Sequence, residues 1–355
     1  GKRSSQVIRY LDNLTQQRET MHVRLVKGAY WDYEIKNAQV KGLAGYPVFT
    51  NKKLTDINYL VTAKQLIEAP NLEASFATHN AHTISSILSL SEDQSKQIEF
   101  QRLYGMGELL YSACSETFKH FNSTSVYCPI GKHKELLPYL VRRLLENGAN
   151  SSFINQYLSA KIPVSDLAIN PAEEIQAKLD LKTLSNLPLP NEIYLPRINS
   201  AGLDLSEHEC LDSISQAINK VQINPMDIFG VSSYALTHLE GVVSNSICNQ
   251  SIIGKVYFSD PAHIKKLTFT DSLDWRNTPI DDRASVLMKV ADSIENLSLE
   301  FIDLMIHEAG KTTQDAHDEI RECVDFLRYY ADQSQAFNAQ SAQLGPTGEN
   351  NILEY

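Results

Sequence analysis

The sequence predicts an α/β fold whose first half carries a parallel sheet. A strand-like run followed by a helical one recurs four times up to about residue 148, and each strand-like run ends in polar, ligand-type side chains. Parallel strands need such crossover connections, and (β/α) barrels and open α/β sheets build their sites at those strand ends. A later run of helical periodicity over residues 281–337 marks a second part of the chain.

Residues 22–26 alternate apolar and polar like a strand and run into Lys27-Gly-Ala-Tyr-Trp-Asp32, where Gly28 and Ala29 would let a ligand approach the backbone. Residues 53–68 read as a helix. Residues 74–78 form a short strand ending in Thr78, His79 and Asn80, followed again by a helix. The third unit is a strand over 97–103, then a turn at Gly105-Met-Gly107 and a helix over 108–118. Two glycines in that spacing fall far short of a dinucleotide fingerprint. The fourth strand, 123–127, closes at Cys128-Pro129.

The helix that follows sets Tyr139, Arg142, Arg143 and Glu146 on one face and Leu140, Val141, Leu144 and Leu145 on the other. In isolation this is an amphipathic surface helix with a solvated polar side. Placed after four polar strand ends, the paired guanidiniums read as a clamp for a carboxylate, which a planar fork of donors matches bidentately. His79 reads as a hydrogen-bonded structural or cofactor-contact residue rather than a general base. Trp31 either stacks on a ring or fills core space.

Composition narrows the function classes. A net charge of −11 and a pI near 5.4, without a basic run, exclude a nucleic-acid surface in this segment. The cysteines at 114, 128, 210, 248 and 323 are odd in number and scattered, which predicts reduced cytosolic thiols and no metal site. No apolar stretch is long enough to span a bilayer, and the absence of an initiating Met suggests a start inside a longer protein. Residues 159–200 are rich in Pro and Leu and read as a connector. Beyond it, Gly310 reads as a helix C-cap and Thr312 as the next N-cap, rather than as a phosphate loop.

Five motifs in order carry a family resemblance: 24–32 (RLVKGAYWD), 45–50 (GYPVFT), 76–83 (FATHNAHT), 105–108 (GMGE) and 139–150 (YLVRRLLENGAN). They resemble the proline dehydrogenase barrel of the bifunctional proline utilisation A flavoenzymes. The resemblance implies the second half of a (β/α)8 barrel over residues 1–158, with FAD at the strand ends, and a linker over 159–205. Residues 206–355 resemble the amino-terminal part of an aldehyde dehydrogenase NAD-binding domain of the pyrroline-5-carboxylate type.

By motif, the resemblance puts Arg24 at the reducing edge of the flavin, with Val26, Gly28, Ala29 and Trp31 along the ring system and ribityl chain. Thr50, Lys52, Thr78, His79 and Asn80 would continue the FAD contact, with Gln101 and Leu103 against cofactor or substrate. Tyr30, Tyr127 and Tyr139 would border the proline site, Tyr127 sharing a catalytic role with Arg24. Arg142 and Arg143 would hold the substrate carboxylate, Glu146 a ribityl hydroxyl, and Phe153 would pack by the FAD.

The implied activity is oxidation of L-proline to 1-pyrroline-5-carboxylate, coupled to NAD-dependent oxidation of glutamate semialdehyde to glutamate. The nucleophilic Cys and main NAD contacts of that second activity are expected beyond Tyr355, and Cys323 is assigned no catalytic role. The resemblance further implies a cytoplasmic protein that passes electrons to a membrane quinone, with peripheral contact at the inner membrane, and is compatible with a homo-oligomer. The contrasting expectation is an inactive fragment or non-catalytic scaffold built from enzyme parts, because the early strands of the barrel lie outside these residues.

Overall fold

The structure, a computed structural model, describes residues 1–15, 20–28, 30–92, 96–148, 170–176, 187–218, 226–229, 238–245, 252–258, 261, 265, 273–339 and 343–352. They pack as two compact units: residues 1–37 with 46–187, and residues 38–45 with 188–355.

In the first unit, α1 (Ser4–Thr15) precedes β1 (Met21–Val26), α2 (Trp31–Val40) and α3 (Lys52–Glu68). Then come β2 (Leu72–Ala77), α4 (Ala81–Ser91), β3 (Ile98–Leu103), α5 (Glu108–Thr117), β4 (Thr124–Tyr127), α6 (His133–Gly148) and α7 (Pro171–Gln176). The four strands form the expected parallel sheet in sequence order, β1-β2-β3-β4. Two helix starts in this unit carry asparagine caps. Asn51 caps α3, its Oδ1 accepting from Lys53 N–H at 2.9 Å, and Asn80 caps α4 in the same way from Thr83 N–H at 3.1 Å.

Alternation along the strands divides the sheet into two faces. One face is apolar: Leu72, Ala74, Phe76, Ile98 and Phe100 pack against Leu66, Ile67, Ile84, Ile87, Tyr111 and Phe121 of the surrounding helices and loops. Phe100 stacks on Phe121 with ring centroids 4.9 Å apart. Burying each such aromatic side chain contributes roughly 1.5–3 kcal/mol. The opposite face carries His22, Arg24, Val26, Glu73, Ser75, Glu99, Gln101 and Ser125 and is the polar side of the sheet.

The second unit contains α8 (His208–Ile218), a sheet of order β5-β7-β6 and three successive helices. The strands are β5 (Met226–Phe229), β6 (His238–Ser244) and β7 (Ile252–Phe258), with β5 parallel and β6 antiparallel to β7. After α9 (Leu273–Asn277) come α10 (Ile280–Asn296), α11 (Ser298–Ala309) and α12 (Thr313–Ala339), with a β8–β9 ladder of Gln343–Leu344 and Asn350–Asn351. Ala291, Ile302, Ala316, Ile320 and Val324 form the core of the helices. Gly310 ends α11 at φ +69°, and the Thr312 hydroxyl accepts Asp315 N–H at 3.1 Å, as the sequence led us to expect.

Residues 200–203 are pinned to this unit almost residue by residue. Ser200 N–H and Oγ donate to Asp325 at 2.7 and 2.9 Å, Ala201 N–H donates to Glu295 at 2.6 Å, and Leu203 N–H donates to His317 Nε2 at 3.0 Å. Gly202 N–H donates to Gly42 O at 2.8 Å, and Arg321 donates to Val40 O at 3.1 Å. Arg328 holds Asp292 and Glu295, each at 2.8 Å. Among the described residues, no helix is long and apolar enough to cross a membrane.

Candidate active site

The C-terminal ends of β1 to β4 bring the sequence-expected residues to one end of the first unit's sheet. Register sets Val26 beside Ala77, Ala77 beside Gln101, Gln101 beside Ser125, and Leu103 beside Tyr127. Arg24 reaches across β2: its Nε donates to Gln101 Oε1 at 2.7 Å, and its guanidinium lies over the Tyr127 ring at 5.8 Å. Tyr127 in turn faces Tyr139 of α6, centroids 6.1 Å apart and tilted by 44°, and Arg143 lies over Tyr139 at 5.5 Å. Arg24, Tyr127, Tyr139 and Arg143 thus run cation, ring, ring, cation from β1 to α6.

This arrangement departs from the isolated reading of α6 as a surface helix with a solvated polar side. Tyr139 and Arg143 are half-buried, whereas Leu140 and Val141 are 46 % and 43 % exposed. Tyr139 and Arg143 meet the sheet end, where Tyr127 offers a ring, while Leu140 and Val141 face outward. Arg142 is exposed. Ala29 and Phe153, and the side chain of Glu146, lie outside the described residues.

At the end of β2, His79 Nε2 accepts Leu103 N–H at 3.0 Å, which requires a neutral ring with its proton on Nδ1. Burial, together with Arg102 and Arg143, lowers its pKa. His79 therefore ties β2 to β3, in keeping with its reading as a hydrogen-bonded residue. Gly107, at φ +71°, lets the ring sit there: a Cβ at 107 would come within 2.8 Å of it. Asn80 spends its Oδ1 on the α4 cap, and the Thr78 hydroxyl accepts Asn80 N–H at 3.2 Å.

A cleft of about 240 Å³ opens beside β1, lined in part by Val26, Lys27, Gly28, Tyr30, Trp31 and Tyr59. Trp31 begins α2 and donates from Nε1 to Phe49 O at 3.0 Å, and it is too exposed to be core filling. Lys27 is drawn sideways by Asp56, 2.5 Å away, and lies over the Tyr59 ring. Tyr30 is exposed, Thr50 half-buried and Lys52 exposed at the first turn of α3.

Several organising residues escape a reading of the sequence. Tyr111 of α5 places its hydroxyl 2.9 Å from Thr78 O and 2.8 Å from Gln101 O, joining two strand ends, and burial raises its pKa. Its signal was a tyrosine on a buried helical face, where the hydroxyl needs a partner. Glu99 accepts Gln101 Nε2 at 2.7 Å and Ser75 Oγ at 2.5 Å. Burial alone would raise its carboxyl, but hydrogen bonds from Ser75, Gln101 and Ser125 outweigh that and hold it below its ordinary value.

The donor chemistry suits a flavin dinucleotide. Two helix N-termini, α3 with Lys52 and α4, suit phosphates, the guanidinium of Arg24 suits a ring edge that gains negative charge, and Gly28 keeps the backbone approachable.

The fold is that of an α/β chain in two parts. Residues 1–156 match the proline dehydrogenase family and residues 242–355 the aldehyde dehydrogenase family. Over nearly its whole length, and so across both matches, the chain is similar to bifunctional PutA proteins. It is 40 % identical to the bifunctional protein PutA of Salmonella typhimurium over 94 % of its length and 26 % of the relative's. It is 39 % identical to that of Escherichia coli over 97 % of its length and 28 % of the relative's. A crystal structure of a bifunctional proline utilization A protein superposes with a TM-score of 0.74 at 37 % identity, over 98 % of this chain and 33 % of that one. The 355 residues thus span roughly a quarter to a third of the relatives they match.

Proposed function

We propose that the natural polypeptide carrying these residues oxidises L-proline to 1-pyrroline-5-carboxylate with FAD and then glutamate semialdehyde to glutamate with NAD. The carrying observation is that a proline dehydrogenase match and an aldehyde dehydrogenase match follow each other in one chain that aligns with PutA proteins almost end to end. Residues 1–158 belong to the second half of the barrel for the first activity and residues 206–355 to the amino-terminal part of the domain for the second, with 159–205 between them.

When bound, FAD supplies the hydride acceptor for the ring carbon next to the proline nitrogen. The protein's part is binding and orientation. Arg142 and Arg143 hold the substrate carboxylate, while Tyr127 and Tyr139 wall the ring and, with Tyr30, exclude water. Fixing the carboxylate presents one ring carbon to the acceptor, a positioning effect worth several kcal/mol of barrier. Arg24, held by Gln101 and lying over Tyr127, brings positive charge to the edge where negative charge develops.

Val26, Gly28, Ala29, Trp31 and Leu103 would line the cofactor. Thr50, Lys52, Thr78, His79 and Asn80 would serve its phosphates and adenosine, Glu146 a ribityl hydroxyl, and Phe153 would pack by it. A membrane quinone would serve as the electron acceptor, reached through peripheral contact of a cytoplasmic, homo-oligomeric protein. Flavin absorbance of the purified natural polypeptide, with proline-dependent dye reduction, tests the reading; absence of either overturns it.

A further inference from the structure

We propose that Glu99 is the positioning residue for Arg24, acting through the side-chain amide of Gln101. The inference rests on the reading above that Arg24 stands at the reducing edge of the flavin.

Parallel register puts Arg24, Ser75 and Glu99 in one row across β1, β2 and β3, with Gln101 two residues on and on the same face as Glu99. Three hydrogen bonds join them. Ser75 Oγ donates to Glu99 Oε2 at 2.5 Å, Gln101 Nε2 donates to the same oxygen at 2.7 Å, and Arg24 Nε donates to Gln101 Oε1 at 2.7 Å.

The direction of this chain is fixed by chemistry. An ionised carboxylate only accepts, so Gln101 must turn its NH2 toward Glu99 and its carbonyl oxygen toward Arg24. The guanidinium only donates, so it accepts that orientation and no other. Replace Glu99 by an amide, and the Gln101 side chain can rotate by half a turn and set NH2 against the Arg24 Nε–H, two donors facing each other. Among the described residues, Nε is the guanidinium atom with a hydrogen-bond partner, so the contact orients Arg24 without using its terminal nitrogens. Hydrogen bonds from Ser75, Gln101 and Ser125 keep the carboxylate ionised.

A strand-to-strand strut would use the same contacts, and a bare negative charge near the cofactor would act without them. The flavin midpoint potential separates the three roles. In the natural polypeptide, Glu99→Gln is expected to leave FAD content unchanged. It should lower kcat about tenfold with the proline KM within about twofold, and lower the midpoint potential by about 30 mV, the two-electron equivalent of a tenfold weaker preference for reduced flavin.

A raised potential would mean that Glu99 acts only as a charge. An unshifted potential with a lower Tm would make it a strut. Either result overturns the proposal. Ser75→Ala keeps the carboxylate and removes one of its donors, and a smaller fall in potential is expected. If Glu99→Gln fails to fold or to hold FAD, Ser75→Ala decides, and an unshifted potential there overturns the proposal. A wild type that takes up no flavin overturns the functional reading and the positioning role together; a flavin-loaded wild type with unshifted variants overturns the positioning role alone.

Discussion

The ring of Tyr139 faces that of Tyr127 at 6.1 Å, and each ring carries an arginine, Arg143 at 5.5 Å and Arg24 at 5.8 Å. Two residues that approach from different elements thereby share one wall, with a cation at either end. Arg143→Met is expected to raise the proline KM of the natural polypeptide about tenfold to a hundredfold with a smaller change in kcat, the loss expected for a charge-assisted contact made in both ground and transition states. Steady-state kinetics across proline concentration checks this, and an unchanged KM removes Arg143 from the clamp.

His79 makes stability pH-dependent with a definite sign. Burial lowers its pKa, so the unfolded chain binds the proton more readily than the folded one. Its contribution is fully present above about 6.5, its ordinary value, and is lost as pH falls through the lower folded value, when protonation removes the acceptor for Leu103 N–H. His317, which accepts Leu203 N–H and is lowered by burial and Arg321, acts with the same sign. Denaturation midpoints measured from pH 7.5 downward should fall. In His79→Gln, whose amide oxygen still accepts the N–H, the fall should be shallower.

Phe100 is 1 % exposed and stacked on Phe121. Phe100→Ala removes that contact and leaves a cavity, an expected loss of roughly 3–5 kcal/mol in urea unfolding of the first unit, with a smaller loss for Phe100→Leu. A loss below about 1 kcal/mol would contradict the packing described.

Gly202 approaches Lys41 so closely that a Cβ there would lie 1.7 Å from its carbonyl oxygen, whereas a Cβ at Gly45 would meet nothing within 4 Å. Gly202→Ala should therefore break the Gly202–Gly42 hydrogen bond and speed amide exchange over residues 200–203, while Gly45→Ala should leave it unchanged. Equal protection in both variants would contradict the pinned segment.

The strand–helix repeat was legible because each unit announces itself locally, a short strand-like run ending in polar side chains and then helical periodicity. The caps at Gly310 and Thr312 were legible for the same reason. What escaped is what register decides. Glu99 and Gln101 are visibly on one face by period two, but their link to Arg24 exists only once β1, β2 and β3 are aligned. Tyr111 joins Thr78 and Gln101 across a helix–sheet contact that no spacing encodes. The helix over residues 4–15 passed unread, although Ile8 and Thr15 are buried along it.

The central claim is that the Arg24–Tyr127–Tyr139–Arg143 end of the sheet presents proline to a flavin. Anaerobic mixing of the flavin-loaded natural polypeptide with L-proline, followed at the yellow flavin band, tests it most directly. The account predicts bleaching that saturates with proline, and a shift of the half-saturating concentration about tenfold or more upward in Arg143→Met. A polypeptide that holds flavin but is not bleached by proline would contradict it.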